Sequence, residues 1–251
     1  AEKVAGSADK AVELMNSRAK MLGMNGTVYT DCTGMGEGNV TTAKDTALLC
    51  SELAKYKNLT PYLTCWLDTV RDGKAELVNL NRLVRTYKGV TGMKAWGSEK
   101  AGSCIAATAE KGDMSVCVVL NGCDSQEDMN AEAKKLLNLA FDTYEIYTPE
   151  LPEDMVKETV VCGGEELSVE LAPKGLYPIV IPRGTYRMVE CDFTAEEKLD
   201  APVKNGETAG EIRYTMGGEV ILEGKIVACK EVKKMNFICG IKKLVYNLLS
   251  M

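Results

Sequence analysis

The chain contains no histidine, and that absence decides much of the chemistry open to it. Ser-His-Asp and Cys-His catalysis are excluded, as are His-ligated zinc and imidazole general bases. Proton transfer would fall to Lys, Tyr, Cys or a carboxylate. Ten cysteines stand at positions 32, 50, 65, 104, 117, 123, 162, 191, 229 and 239, and no two are spaced as C-x-x-C. Zinc ribbons and thioredoxin-like motifs are therefore excluded. The even count permits disulfides, but in a chain of 251 residues the cysteines read as free thiols acting as small apolar core residues. No metal site and no cofactor is expected. Lys plus Arg number 30 against 36 Asp plus Glu, a net charge of -6 that argues against nucleic acid as a partner.

The elements that must position such groups can be read from periodicity. Ser7 is a natural N-cap, and Ala11, Val12, Met15, Ala19 and Leu22 predict a helix over 7–22 that Gly23 ends. A Gly- and Thr-rich stretch over 26–41 predicts a long ordered loop. Thr42-Ala43-Lys44-Asp45 approximates a capping box before a second helix over 42–56, with Ala47, Leu49, Cys50, Leu53 and Tyr56 as apolar positions. Residues 62–84 predict short strands around the hairpin turn Arg71-Asp72-Gly73-Lys74. Two apolar runs, 102–110 and 114–121, flank Lys111-Gly112-Asp113 and predict a β-hairpin buried on both faces. Residues 125–144 predict an amphipathic helix with Met129, Ala133, Leu136, Leu137 and Ala140 on one side.

The character changes near residue 145. Six of the seven prolines lie beyond Tyr147, and β-rich runs recur at 166–171, 177–181, 185–191, 208–214 and 219–228. Their spacing predicts a small all-β sandwich or barrel. In 232–251, Phe237, Ile238, Ile241, Leu244, Val245, Leu248 and Leu249 form a helical stripe beside Lys233, Lys234, Lys242 and Lys243, with no acid. A bilayer span needs about 20 apolar residues, so the segment predicts a helix lying in the membrane interface. The alternative is a terminal helix packed on the β domain.

Several collinear segments carry a family likeness. Val4-Ala5-Gly6-Ser7 and Glu13-Leu14-Met15-Asn16 resemble the stretch after the second active-site motif of the serine-type D-Ala-D-Ala carboxypeptidases, the low-molecular-mass penicillin-binding proteins. Leu22-Gly23-Met24-Asn25-Gly26-Thr27 with Thr33-Gly34-Met35 resembles that family's LGMKNT…TGL stretch. Thr42-Ala43-Lys44-Asp45 resembles its TARD. Asn79-Leu80-Asn81-Arg82-Leu83 resembles its NTNxL. Ala101-Gly102-Ser103-Cys104 and Ala106-Ala107-Thr108-Ala109 resemble the strand after the third motif.

The resemblance implies removal of the terminal D-Ala from peptidoglycan stem peptides through an acyl-enzyme. It implies a Ser nucleophile and Lys base in S-x-x-K, an assisting S-x-N, and a K-T-G strand that binds the substrate's terminal carboxylate. β-Lactam acylation is expected only of an intact relative.

Two departures set this sequence apart. No S-x-N occurs, and S-x-x-K occurs only as Ser7-Ala8-Asp9-Lys10 and Ser17-Arg18-Ala19-Lys20, both on the first predicted helix and out of register. No catalytic residue is therefore assigned. Relative to the family the chain is read as truncated at its N-terminus, with the nucleophile and base missing upstream of Ala1. Secondly, Gly92-Met93-Lys94-Ala95-Trp96-Gly97 stands where the family has G-[LM]-K-T-G. The substrate-binding position thus falls on Lys94, Ala95, Trp96 and Gly97. Ala95 lacks the Thr hydroxyl, and the Trp96 indole replaces a Gly where substrate backbone approaches closely.

The expected architecture is an α/β (α+β) penicillin-binding, transpeptidase-like domain over 1–145, incomplete at its N-terminus. A β-rich domain over 146–231 and an amphipathic membrane-surface helix over 232–251 follow. The incomplete domain should leave apolar surface and a strand edge uncovered. The expected function is that of a cell-wall carboxypeptidase relative, inactive as it stands, peripheral on the extracytoplasmic face of the bacterial cell membrane. The alternative is a non-catalytic envelope interaction or scaffold protein acting through the β domain and terminal helix.

Overall fold

In the computed structural model, which describes residues 1–237 and 241, Ser7 caps the first long helix as its sequence predicts. After a single turn, α1 (Glu2–Ala5), the Ser7 Oγ accepts from the Lys10 N–H at 3.2 Å and α2 runs over Ala8–Met21. Thr42 caps α3 (Ala43–Leu53) in the same way, its hydroxyl accepting from the Asp45 N–H at 3.0 Å. The reciprocal arm of a capping box is absent. The Asp45 carboxylate turns away and accepts from Gly26 N–H at 2.8 Å and Thr27 Oγ1 at 2.7 Å. Thr42-Ala43-Lys44-Asp45 is thus half cap and half clamp, pinning the loop before it to α3.

The segment expected to hold only strands is mixed. A helical turn α4 (Thr60–Leu63), with Pro61 in its first turn, precedes the hairpin β1 (Leu67–Val70) and β2 (Ala75–Val78). Arg71 and Asp72 turn the hairpin with φ of 56° and 57°. Residues 83–84 then enter a second helical turn, α5 (Leu83–Thr86), not a strand. Asn81 has its side chain in hydrogen bonds on both sides of this turn, so tertiary pairing overrides the β-branched composition.

The main sheet of this unit is built on β5 (Gly102–Lys111). Along one side lie β3 (Val90–Gly92) and β4 (Ala95–Ser98), two pieces of one interrupted strand, with Val90 opposite Ala109 and Ala95 opposite Ile105. Along the other side lies β6 (Met114–Cys123), closing the predicted hairpin. Residues Cys104 to Ala109 are all buried, because helices cover both faces. On one face Cys50 of α3 meets Ala106, with Leu53, Cys117 and Val119 packed around them. On the other, α6 (Gln126–Thr143) buries Met129, Ala133, Leu137 and Phe141. Burying each large side chain of this kind is worth about 1.5–3 kcal/mol. Among the described residues, the outer edges of β4 and β6 pair with no strand.

The chain divides into two compact units, Ala1–Thr143 and the residues from Tyr144 on. The second unit contains β7 (Tyr144–Tyr147), β8 (Glu158–Cys162), β9 (Ser168–Lys174), β10 (Ile179–Pro182), β11 (Val189–Ala195), β12 (Lys198–Asp200), β13 (Thr208–Met216) and β14 (Glu219–Ala228). Six of these form one sheet in the order β11-β13-β14-β9-β8-β12, antiparallel except for β12 beside β8, while β7 and β10 pair separately. The core gathers Val161, Val169, Leu171, Leu199, Ile212, Tyr214, Leu222 and Ile226. Tyr214, wholly buried, has its polar end satisfied by donating to the Glu150 carbonyl at 2.9 Å.

The helix expected from residue 232 does not begin there. Val232 and Lys234 form β-bridges with Val203 and Gly164, and Val232 is buried in the core. Helix is found at Phe237 and Ile241; residues 238–240 and 242–251, most of the predicted amphipathic segment, lie outside the described residues.

Candidate functional site

The strand over 92–97 is shaped by backbone geometry that few sequences tolerate. Gly92 has φ of 129° and Met93 φ of 75°, and together they break the edge strand between β3 and β4. A Cβ on Gly92 would lie 2.4 Å from the Leu63 Cβ, so only glycine fits. Asn81, fully buried, holds the break in place: its Nδ2 donates to the Gly92 carbonyl at 3.1 Å and its Oδ1 accepts from the Leu83 N–H at 3.1 Å. Asn79 supports it by accepting from the Asn81 N–H and donating to the Cys65 carbonyl, each at 3.0 Å. Asn79-Leu80-Asn81 is therefore a clamp on the strand that carries Lys94.

Beyond the break the strand re-engages β5 through the Ala106 N–H, which donates to the Lys94 carbonyl at 2.9 Å. Side chains then alternate. Trp96 lies opposite Cys104 and packs, half-buried, on the Cys50–Met93–Ala106 cluster of the α3 face. Ala95 lies opposite Ile105 on the α6 face and is buried. The Lys94 side chain is exposed and makes no hydrogen bond or ion pair among the described residues. Gly97 is exposed, and a Cβ there would come 2.9 Å from the Gly102 carbonyl oxygen.

A groove of about 450 Å³ runs beside Ala95, Trp96 and Gly97. Its other lining residues include Leu80, Ser98, Glu99, Ser103, Asp124, Gln126 and Met129. Leu80, Gln126 and Met129 carry no signal that would have marked them from sequence. They come to the groove through the Asn79–Asn81 clamp and the first turns of α6.

Both S-x-x-K serines belong to α2. Ser7 has its oxygen in the α2 cap, and Ser17 is exposed along α2. The loop between α2 and α3 is instead organised by Asp31. One carboxylate oxygen accepts from Thr33 N–H, Thr33 Oγ1 and Gly34 N–H, each at 2.7 Å, and the other accepts from Asn39 Nδ2 at 2.9 Å. These bonds, the Thr33 hydroxyl foremost, hold the Asp31 carboxyl down to about 2. The Thr27 hydroxyl does the same, in direction, for Asp45. Both carboxylates stay ionised at neutral pH as loop organisers.

A four-stranded antiparallel sheet with helices on both faces, broken between β3 and β4 before an exposed lysine and followed in the chain by a β domain, belongs to the penicillin-binding class of folds. The crystal structure of penicillin-binding protein 5 from Haemophilus influenzae superposes with a TM-score of 0.78 at 23% identity, covering 93% of this chain and 69% of that one. Penicillin-binding protein 6B from Escherichia coli gives 0.69 at 19% identity over 90% of this chain and 62% of that one.

Residues 1–124 match the profile of the D-alanyl-D-alanine carboxypeptidases, and residues 141–234 match that of the penicillin-binding protein 5 C-terminal domain. The chain thus carries a D-alanyl-D-alanine carboxypeptidase domain followed by a penicillin-binding protein 5 C-terminal domain. It is 32% identical over 248 residues to D-alanyl-D-alanine carboxypeptidase DacF of Bacillus subtilis, which spans 97% of this chain and 64% of that protein. It is 30% identical over 240 residues to DacC of Escherichia coli, covering 94% of this chain and 60% of that protein. The chain thus spans about three fifths of the length of these relatives.

Proposed function

We propose that this chain is a bacterial cell-envelope relative of the D-Ala-D-Ala carboxypeptidases that recognises the end of a peptidoglycan stem peptide but does not form an acyl-enzyme within its 251 residues. The recognition half rests on one observation. The 92–97 strand offers an exposed Lys94 ammonium beside a β4 edge that has no strand partner among the described residues. Such an edge suits an extended peptide backbone, and the ammonium suits its terminal carboxylate. If so, Lys94→Gln raises the Kd for a D-Ala-D-Ala peptide about fivefold, the roughly 1 kcal/mol of an exposed ion pair. Calorimetric titration measures this, and an unchanged Kd would remove Lys94 from the site.

The inactivity half is supported by what lies inside the chain. Ala95 replaces a hydroxyl by a methyl, and an unmade hydrogen bond in such a site costs about 1–3 kcal/mol. Trp96 places an indole on the strand where the family has no side chain. Ser7 and Ser17 serve α2 instead. The same two replacements favour a second reading, a non-catalytic envelope interaction or scaffold protein working through its β domain and terminal helix.

In either reading residues 236–251, which follow the last β-bridge, hold the protein peripherally on the extracytoplasmic membrane surface. The support is Lys242, Lys243 and no acid beside an apolar stripe, in a chain of net charge -6. Flotation with anionic liposomes should carry the full chain to the top fraction and leave a form lacking 236–251, which keeps the Met235 N–H bond to the Gly163 carbonyl, at the bottom. That truncation keeps the Val232 and Lys234 bridges of the β domain intact. Equal flotation of both forms would end the anchor reading.

A further inference from the structure

We propose that Cys50 and Cys117 are an oxidisable dithiol, a modification site whose disulfide staples α3 to β6 beneath the substrate strand. Cys50 is buried on the sheet-facing side of α3, in one cluster with Met93 and Ala106. Cys117, half-buried on β6 opposite Thr108, packs against the same cluster. The two thiols lie together in this cluster, near enough that each shifts the titration of the other, and neither is in a disulfide.

Each thiol shifts the other: Cys117 holds Cys50 below its ordinary value, and Cys50 pushes Cys117 above its own. With a small organic disulfide as oxidant, one thiolate of the pair attacks one sulfur and expels the first thiolate. That thiolate takes the proton of the remaining thiol, whose sulfur attacks the mixed disulfide and expels the second. Two electrons pass from the cysteine pair to the oxidant, which leaves as two thiols carrying both protons.

The position gives the bond a consequence. Met93 and Trp96, on either side of Lys94, rest on this cluster, so a covalent link between α3 and β6 fixes the floor beneath the substrate strand. The link joins residues far apart in sequence, which removes much freedom from the unfolded chain.

The test exposes the folded chain to cystamine, quenches with acid, alkylates remaining thiols in denaturant and maps the unreduced digest by mass spectrometry. The expected dominant cross-link joins the Cys50 and Cys117 peptides. Oxidation should raise the Tm of the first unit by about 5–10 °C. Cys117→Ala should abolish both effects, and Cys50→Ala provides the same control if that variant folds poorly. Alanine is close in size to a thiol that acts as a small apolar residue. A dominant link between other cysteines, such as Cys104 and Cys123, would overturn the proposal, as would full alkylation of Cys50 and Cys117 after oxidation.

Discussion

Gly92→Ala is expected to destabilise the first unit by about 3–5 kcal/mol, a large loss for one methyl group. Two costs add. The φ of 129° lies where a side chain is strained, at about 1–3 kcal/mol. The new Cβ also meets the Leu63 Cβ at 2.4 Å and its backbone at 3.2 Å, and overpacking of that kind adds about 1–3 kcal/mol or more. Gly112→Ala separates the two costs. Its φ of 60° is also left-handed, but nothing lies within 4 Å, so a loss of only about 1 kcal/mol is expected there. Urea unfolding followed by tryptophan fluorescence measures both. Equal losses would mean that the approach of Leu63 to the strand break does not matter, and the account of how Lys94 is positioned would fail.

Trp96→Gly should lower stability by about 2–4 kcal/mol. The indole is half-buried against Cys50, Met93 and Ala106, so roughly half the cost of truncating a fully buried tryptophan applies. A glycine within a strand adds about 0.5–1 kcal/mol. If the variant were as stable as the parent, the indole would not be part of the α3-face cluster. This replacement makes the position resemble the family's K-T-G more closely while weakening the fold, so here the tryptophan has become structural. On the proposed reading, pairing it with Ala95→Thr should not create an acyl-enzyme, because the Ser7 oxygen is engaged in the α2 cap and Ser17 is an exposed position along α2.

Elements with a strong local pattern were legible in the sequence. Ser7 and Ser125 mark the starts of α2 and α6, and in both the serine oxygen accepts from the N–H three residues on. The apolar runs on either side of Gly112 were readable as a hairpin, and β5 is covered on both faces because it lies between two helices; the expected burial fails for β6, an edge strand in which only Met114 and Val118 are buried. What failed was decided by contacts distant in sequence. α5 forms where strand was expected because Asn81 ties it to Gly92, eleven residues away. Asp45 could be read as a capping residue only while its real partners, Gly26 and Thr27, were out of view.

The candidate site was legible in part for the same reason. The collinear motifs singled out the strand of Lys94, and the structure shows that strand broken at Gly92 and beside a groove. Which side chains wall the groove did not follow, because Leu80 and Met129 reach it only through the folding of a clamp and a helix. Cys50 and Cys117 carry no motif at all, and only the packing of α3 on β6 brings them together.

The central claim is that these 251 residues hold the recognition strand of a carboxypeptidase without the means to acylate. Incubation of the purified chain with a fluorescent penicillin, followed by denaturing electrophoresis, tests it directly. The expected result is no fluorescence on the protein band beyond that of a heat-denatured control. A band that remains labelled through denaturation, and loses its label when the chain is first exposed to unlabelled penicillin, would contradict it.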